Sequence, residues 1–322
     1  MMNPKVSIIT PCYNSEKFIG RYIDRILNQS YDNIQLIFVN DGSTDQTEAI
    51  IKQNKSRIIS KGYELTYIKQ KNMGLGGAIN TGLKEIKGEF FTWCDSDNFY
   101  TDDYVSTKVD FFLNNPQYSV VRCDGFIVDE SDIDNPIGKM SQGNSDLFNP
   151  NLFENCLLVK NFHFGCAMIK TIDFDRVNKE RQIYPSRAGQ NWQLLLPMFY
   201  QYLSGYIDKP MFYFVVRKDS ISNITQYQST EDKIQKLEEY ERILINTLIS
   251  MKIPEENLYI KKIKTKYELQ KFYVYVYAHE SDNIEQQYQI LKENNIKPNI
   301  KIWLAKQRGK HKNFDSIIKL FR

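Results

Sequence analysis

Ile34-Gln35-Leu36-Ile37-Phe38-Val39-Asn40-Asp41-Gly42-Ser43-Thr44-Asp45 decides the fold. Residues 34–39 are a nearly continuous apolar run, as in a strand covered on both faces of a parallel sheet. A polar turn follows at once and leads into a helix expected through about residue 55. The same order recurs upstream. Val6-Ser7-Ile8-Ile9 reads as a buried strand ended by Pro11, and Phe18, Ile19, Tyr22, Ile23, Ile26 and Leu27 repeat at helical spacing behind a Ser15 cap. Downstream the pattern predicts a strand at 65–69, a helix at 74–86, a strand at 89–93, a helix at 102–114 and a strand at 119–122. Strand and helix therefore alternate through residue 122, which predicts an α/β fold with a mainly parallel sheet flanked by helices.

Ligands of such sheets bind beyond the carboxyl ends of the strands. Polar clusters stand at three of those ends: Pro11-Cys12-Tyr13-Asn14, Asn40-Asp41-Gly42-Ser43 and Asp95-Ser96-Asp97-Asn98. They are expected to converge on one edge. Asp95 and Asp97, one residue apart, can offer oxygen ligands to a divalent cation bridging two phosphates. Such a cation neutralises charge on a departing diphosphate. Asp41 suits ribose or base hydrogen bonds, or alternatively an Asx turn, with Asp45 capping the next helix. Asn72-Met73-Gly74-Leu75-Gly76-Gly77 opens a helix whose N–H groups can approach phosphate. It is neither a Walker loop nor a dinucleotide fingerprint.

The chain has 322 residues and a net charge of +3, so charge alone gives no argument for nucleic acid. Cys12, Cys94, Cys123, Cys156 and Cys166 show no C-x-x-C spacing, and His163, His279 and His311 are scattered. That pattern argues for reduced thiols in a cytoplasmic protein and against a zinc site. Met1-Met2-Asn3-Pro4-Lys5 has no signal-peptide character, and no run of about 18 apolar residues suggests a spanning helix. Residues 125–150 are acidic and glycine-bearing, a hairpin or mobile loop; 190–200 read as a helix and 211–217 as a strand. Beyond about 230, Ile234, Leu237, Tyr240, Leu244 and Leu248 mark an amphipathic helix, with further helices at 264–279, 283–294 and 301 onward. The expected division is an α/β domain over 1–225, with a donor half to about 125 and an acceptor half over 126–225, and a helical region over 226–322. Lys301 to Lys312 is basic, with Phe314, Ile317, Ile318, Leu320 and Phe321 after it. This stretch suits an anionic membrane surface at the inner face of the cell, or helices packed on the domain or pairing two copies as a homo-oligomer.

The stretch 6–14, then Val39-Asn40-Asp41-Gly42-Ser43-Thr44-Asp45, then Asn72-Met73-Gly74 with Asn80-Thr81-Gly82, then Cys94-Asp95-Ser96-Asp97, in this order and spacing, resembles the family 2 glycosyltransferases of GT-A fold. The likeness covers about residues 4–125 well and runs on loosely to about 217. Its flavour is that of bacterial enzymes building capsular or other surface polysaccharides, a branch that 187–193 and 216–220 also resemble. The resemblance implies an inverting transferase that uses a nucleotide-sugar donor, with a uridine diphosphate sugar expected, and a glycan or lipid-linked acceptor. It implies that Pro11, Tyr13 and Asp41 hold the nucleoside, with Glu16 near the ribose. Asn72, Gly74, Asn80, Asp95 and Ser96 join the donor site, Asp95 and Asp97 carry the catalytic role, and Asp97 ligates Mn²⁺ or Mg²⁺.

Two departures stand out. Many relatives have Ala-Arg-Asn where this chain has Ala78-Ile79-Asn80, leaving diphosphate neutralisation to metal or to Arg122, Arg187 or Arg217. Relatives also place a Glu-Asp pair where Gln190-Asn191-Trp192 stands on the acceptor side, so the general base is unassigned, with Asp124, Glu180 and His163 as candidates by location. Trp192 reads as an acceptor-stacking face or a core anchor. Two other classes compete. A sugar nucleotidyltransferase needs a basic glycine-rich loop after the first strand, where Pro11-Cys12-Tyr13-Asn14-Ser15 stands. A catalytically degenerate partner subunit that binds nucleotide sugar without turnover fits the Gln190-Asn191 replacement but not the intact Asp95/Asp97 pair.

Overall fold

A computed structural model describes residues 3–144, 146–158, 166–217, 229–294, 296 and 300–310. The chain divides into two compact units, Met1–Arg217 and Lys218–Arg322.

The first unit runs β1 (Val6–Cys12), α1 (Ile19–Leu27), β2 (Ile34–Asp41), α2 (Thr47–Gln53), α3 (Lys55–Ser60), β3 (Glu64–Gln70), α4 (Gly74–Lys84), β4 (Phe90–Trp93), β5 (Phe99–Tyr100), α5 (Tyr104–Asn114), β6 (Tyr118–Asp129), β7 (Gly138–Lys139), α6 (Phe153–Leu158), β8 (Met168–Lys170), α7 (Thr171–Val177), α8 (Gln190–Gln201) and β9 (Leu203–Val216). Every residue of β1 and β2 is buried, which is why both read as unbroken apolar runs. The strand order is β3-β2-β1-β4-β8-β6-β9-β5, with β7 on the side of β6. The β3-β2-β1-β4 portion is parallel, as the alternation requires. Beyond it the sheet is mixed: three-residue β8 runs antiparallel to both β4 and β6. The acidic stretch after 125 continues β6 and returns through β7 as a hairpin. The first helix begins at Ile19 rather than at a Ser15 side-chain cap, because the Ser15 carbonyl, not its hydroxyl, accepts from Phe18 and Ile19.

Ile19, Tyr22, Ile23 and Ile26 of α1 join Val6, Ile8, Leu36 and Phe38 in one core. On the other face Gly82 lets α4 approach β1, since a Cβ there would meet Ile9 Cγ2 at 2.4 Å. Lys108 of α5 is fully buried, and its ammonium reaches the Tyr104 hydroxyl and the carbonyls of Val121 and Cys166. None of the five cysteines forms a disulfide among the described residues.

The second unit holds α9 (Thr230–Met251), α10 (Glu256–Ala278), α11 (Ser281–Glu293) and α12 (Ile300–Lys310). A capping box starts α9: Ser229 Oγ accepts from Asp232 N and Asp232 Oδ2 from Ser229 N. Phe272, Val276, Ile284, Tyr288, Leu291 and Ile302 pack α10, α11 and α12 together. No helix among the described residues is long and apolar enough to cross a membrane.

Candidate active site

Register brings the polar clusters together. Cys12 of β1 pairs with Asn40 of β2, Asp41 with Gln70 of β3, and Ile9 with Trp93 at the end of β4. The loops carrying Tyr13, Asp41, Asn72 and Asp95 therefore leave the sheet at one edge. The first two loops are clasped by reciprocal bonds. Asn14 N donates to Ser43 Oγ at 3.0 Å, Thr44 N to Asn14 Oδ1 at 2.9 Å, Ser15 N to Thr47 Oγ1 at 2.7 Å and Glu16 N to Asp45 Oδ2 at 2.9 Å. The Glu16 carboxylate in turn accepts from Gln46 N at 3.0 Å. Asp45 Oδ1 accepts from Thr47 N at the start of α2. Within this clasp Tyr13 stays 54% exposed, leaving its ring open to a planar ligand. Pro11 is buried in β1.

Asp41 is buried, and its Oδ1 accepts from Gln70 Nε2 at 2.7 Å and Met73 N at 2.8 Å. The Asx turn in this loop belongs to Asn40, whose Oδ1 accepts from Ser43 N. That leaves the Asp41 carboxylate facing the Asn72-Met73-Gly74 loop. Gly42 has φ +78°, and a Cβ there would lie 2.8 Å from Asn72 N, so only glycine lets the two loops meet. Asn72 Oδ1 accepts from Gly74 N at 3.2 Å.

The Asp95-Ser96-Asp97 triplet is held from two sides. Ser96 is buried and its hydroxyl bonds Ser15 at 2.8 Å, tying the triplet to the first loop. Arg21 of α1 donates to the Asp97 carbonyl at 2.9 Å. Arg217, at the end of β9, donates to Asp97 Oδ2 at 2.8 Å with its guanidinium 4.4 Å from the centre of the Phe18 ring. Asp95 differs: its Oδ1 is enclosed by protein and makes no hydrogen bond. Burial, and secondarily the charge of Asp97, push the Asp95 carboxyl up to about 7. An enclosed carboxylate oxygen with no donor is the arrangement a cation or a ligand hydroxyl would complete.

Other expected site residues have structural partners. Both amide atoms of Asn80 bond the backbone of Ile183, at 2.9 and 2.7 Å, which pins the chain before α8 onto α4. The Gly76 N–H is taken by the Ser186 carbonyl at 2.8 Å, so the head of α4 is partly satisfied within the protein. Asn191 Oδ1 accepts from Trp93 Nε1 at 2.8 Å, which fixes the start of α8 beside the strand that delivers Asp95. Gln190 and Trp192 are buried, and of the two readings of Trp192 the fold supports the core anchor. Among the base candidates, Asp124 is buried and accepts from Gly125 N, Ser141 N and Ser141 Oγ. Glu180 is exposed beside Arg181, which bonds the Leu83 and Ile86 carbonyls at the far end of α4 from Gly74. His163 lies outside the described residues. Of the proposed cations, Arg122 is buried and bonds Ser204 Oγ and the Leu147 carbonyl, away from the triplet. Arg21, Gln70 and Trp93 are the site residues that sequence reasoning passed over. Arg21 shares the polar face of α1 with Asp24 and Arg25, so no local pattern set it apart.

A family model described as Glycosyl transferase family 2 matches residues 7–177. Glycosyltransferase GlyA of Streptococcus pneumoniae is 38% identical over 107 residues, 33% of this chain and 15% of that protein. A putative glycosyltransferase, EpsH of Bacillus subtilis, is 36% identical over 104 residues, 32% of this chain and 29% of its own. The chain thus spans well under half the length of these relatives. The crystal structure of Staphylococcus aureus TarS residues 1–349 with UDP-GlcNAc superposes with TM-score 0.61 at 17% identity, covering 97% of this chain and 88% of that one. The mannosyltransferase PcManGT of Pyrobaculum calidifontis, solved with GDP-Man and Mn²⁺, gives 0.55 at 16% identity, covering 98% and 84%. The shared fold is the GT-A glycosyltransferase fold with a helical C-terminal region.

Proposed function

The chain belongs to glycosyl transferase family 2, and from that premise we propose that it transfers a sugar from a nucleoside-diphosphate donor, a uridine diphosphate sugar, to a hydroxyl of a glycan or lipid-linked acceptor of a bacterial surface polysaccharide. The observation that carries the proposal is the convergence of Tyr13, Asp41 and the Asp95/Asp97 pair on one sheet edge, with Asp95 Oδ1 enclosed and unbonded. In this reading the base lies on Tyr13, Asp41 takes ribose hydroxyls and Asp95 faces the diphosphate. TarS and PcManGT were solved with UDP-GlcNAc and with GDP-Man and Mn²⁺, which supports a nucleotide-sugar donor in a protein of this fold.

The residues fit a cation completed by the donor rather than a preformed metal centre. Among the described residues no three His, Cys, Asp or Glu side chains cluster as ligands. Asp97 and Asp95 would hold Mn²⁺ or Mg²⁺ together with diphosphate oxygens, and the ion would supply charge neutralisation on the leaving group. In the structure Asp97 Oδ2 accepts from Arg217, so holding the ion would draw that carboxylate away from this partner. The acceptor oxygen displaces the diphosphate at the anomeric carbon with inversion. The electron pair of the broken bond leaves on the diphosphate, and the acceptor proton passes to solvent or to a basic side chain. Gln190 and Asn191 accept no proton near neutral pH. Loss of base catalysis costs about 10²–10⁴-fold, which leaves positioning and leaving-group stabilisation as the main terms.

A second reading, a partner subunit that binds the donor without turnover, draws on the Asn191–Trp93 bond, which makes the expected base position structural. Transfer and hydrolysis assays over a panel of nucleotide sugars, with and without Mn²⁺, decide between them. The enzyme reading expects metal-dependent turnover that falls by about 10² or more in Asp97→Ala. Metal-dependent binding without turnover on any acceptor favours the partner subunit. Metal-independent binding untouched by Asp97→Ala removes the role given to Asp97. A lipid-linked acceptor would place the protein at the inner membrane face, where exposed Trp303 and Leu304 beside Lys301 on α12 offer an interfacial contact.

A further inference from the structure

We infer that Arg187 is the donor-phosphate arginine of this chain, resting on the donor reading above. A diphosphate that faces Asp95 and joins the nucleoside, held by Asp41, to the sugar must lie on the ground between those carboxylates. Two observations set the segment carrying Arg187 beside that ground. On the nucleoside side, Met73 N bonds Asp41, and a Cβ on the next residue, Gly74, would lie 3.5 Å from Arg187 Cγ. On the sugar side, four residues beyond Arg187, Asn191 bonds Trp93, which stands two residues before Asp95.

The segment around Arg187 is fixed. Ile183 is bonded twice to Asn80, and the Ser186 carbonyl accepts from Gly76 N. Gln193 Nε2 donates to the Tyr184 carbonyl and to Ser186 Oγ, both at 3.1 Å. Arg187 itself is exposed, and no hydrogen bond or ion pair holds its guanidinium among the described residues. An ordered backbone thus presents an uncommitted cation. The other guanidiniums near the triplet are engaged: Arg21 with the Asp97 carbonyl and Arg217 with its carboxylate. Ile79, on α4, is fully buried and brings no charge to this edge. The head of α4 is a poor substitute, because Ser186 already occupies the Gly76 N–H. A planar guanidinium can bridge two phosphate oxygens, which a lysine ammonium cannot match.

The test is calorimetric titration of the whole chain with UDP and GDP and with uridine and guanosine, comparing parent, Arg187→Gln, Arg187→Lys and, as a charge control on the same edge, Lys71→Gln. Arg187→Gln should bind the preferred diphosphate about tenfold more weakly with nucleoside affinity unchanged. Arg187→Lys should recover part of the loss, and Lys71→Gln should lose less than threefold. Diphosphate binding equal to the parent's in Arg187→Gln overturns the assignment. So does an equal loss for the nucleoside, or an equal loss in Lys71→Gln, which would make the effect general charge. A parent that binds neither diphosphate refutes the donor reading itself, and the assignment with it.

Discussion

Replacing Asp95 with Asn should stabilise the metal-free protein at alkaline pH while abolishing transfer. In the folded chain burial and the Asp97 charge push this carboxyl up to about 7, against about 3.9 for an unfolded Asp. Between those values the native state holds a proton that the unfolded state has lost, so stability falls as pH rises and the deficit is complete above about 7. At 1.36 kcal/mol for each factor of ten the ceiling is about 4 kcal/mol. Relaxation around the site and the remaining Asp97 charge bring the expected gain for Asp95→Asn to about 2 kcal/mol at pH 8. Near pH 4 an amide and a neutral carboxyl are nearly equivalent, and the gain should vanish. Urea denaturation in EDTA at pH 5 and pH 8 measures this, read by tryptophan fluorescence, since Trp93 and Trp192 both report on the first unit. A gap between variant and parent that does not widen from pH 5 to pH 8 would refute the reasoning. Saturating Mn²⁺ should reverse the order, stabilising the parent above the variant.

Three further outcomes are expected. Gly42→Ala forces a φ of +78° on a β-carbon that would sit 2.8 Å from Asn72 N, so it should cost about 2 kcal/mol in urea denaturation and weaken nucleotide binding; a cost under about 0.5 kcal/mol contradicts the loop contact. Burial lowers the pKa of Lys108 below that of an unfolded lysine, so the folded form deprotonates first and parent stability should rise with pH as the range between the two values is crossed. Lys108→Met should remove that rise and add about 1 kcal/mol at pH 7; parallel pH profiles for variant and parent refute it. Trp303→Glu should reduce binding to phosphatidylglycerol vesicles severalfold in a flotation assay without affecting donor binding, and equal flotation of variant and parent would dismiss α12 as a membrane contact.

The doubly covered strands were legible because burial on both faces leaves a contiguous apolar run, as in 34–39, that helices and solvated hairpins rarely show. The convergence of Tyr13, Asp41 and Asp95 followed from the same reading, since parallel strands align their carboxyl ends. β8 was not legible: three residues, Met168–Lys170, carry too little period to distinguish strand from turn. Nor was the length of β9, which begins at Leu203, because Gly205, Asp208, Lys209 and Pro210 interrupt its pattern. Asn80 was expected at the donor, yet its amide meets Ile183, a pairing across 103 residues that no local pattern encodes.

The sequence by itself therefore determined the alternating sheet, the edge where its polar loops converge, the carboxylate pair and the family, because each rests on local periodicity or on motifs short enough to read in line. Only the tertiary structure decided which of those groups are free. Asp97 faces Arg217, 120 residues away, and Asn191 faces Trp93, 98 residues away. Asp95 keeps an enclosed oxygen with no donor. Whether a side chain is available to a ligand depends on what the fold places within about 3 Å of it, and that is settled by packing, not by spacing along the chain.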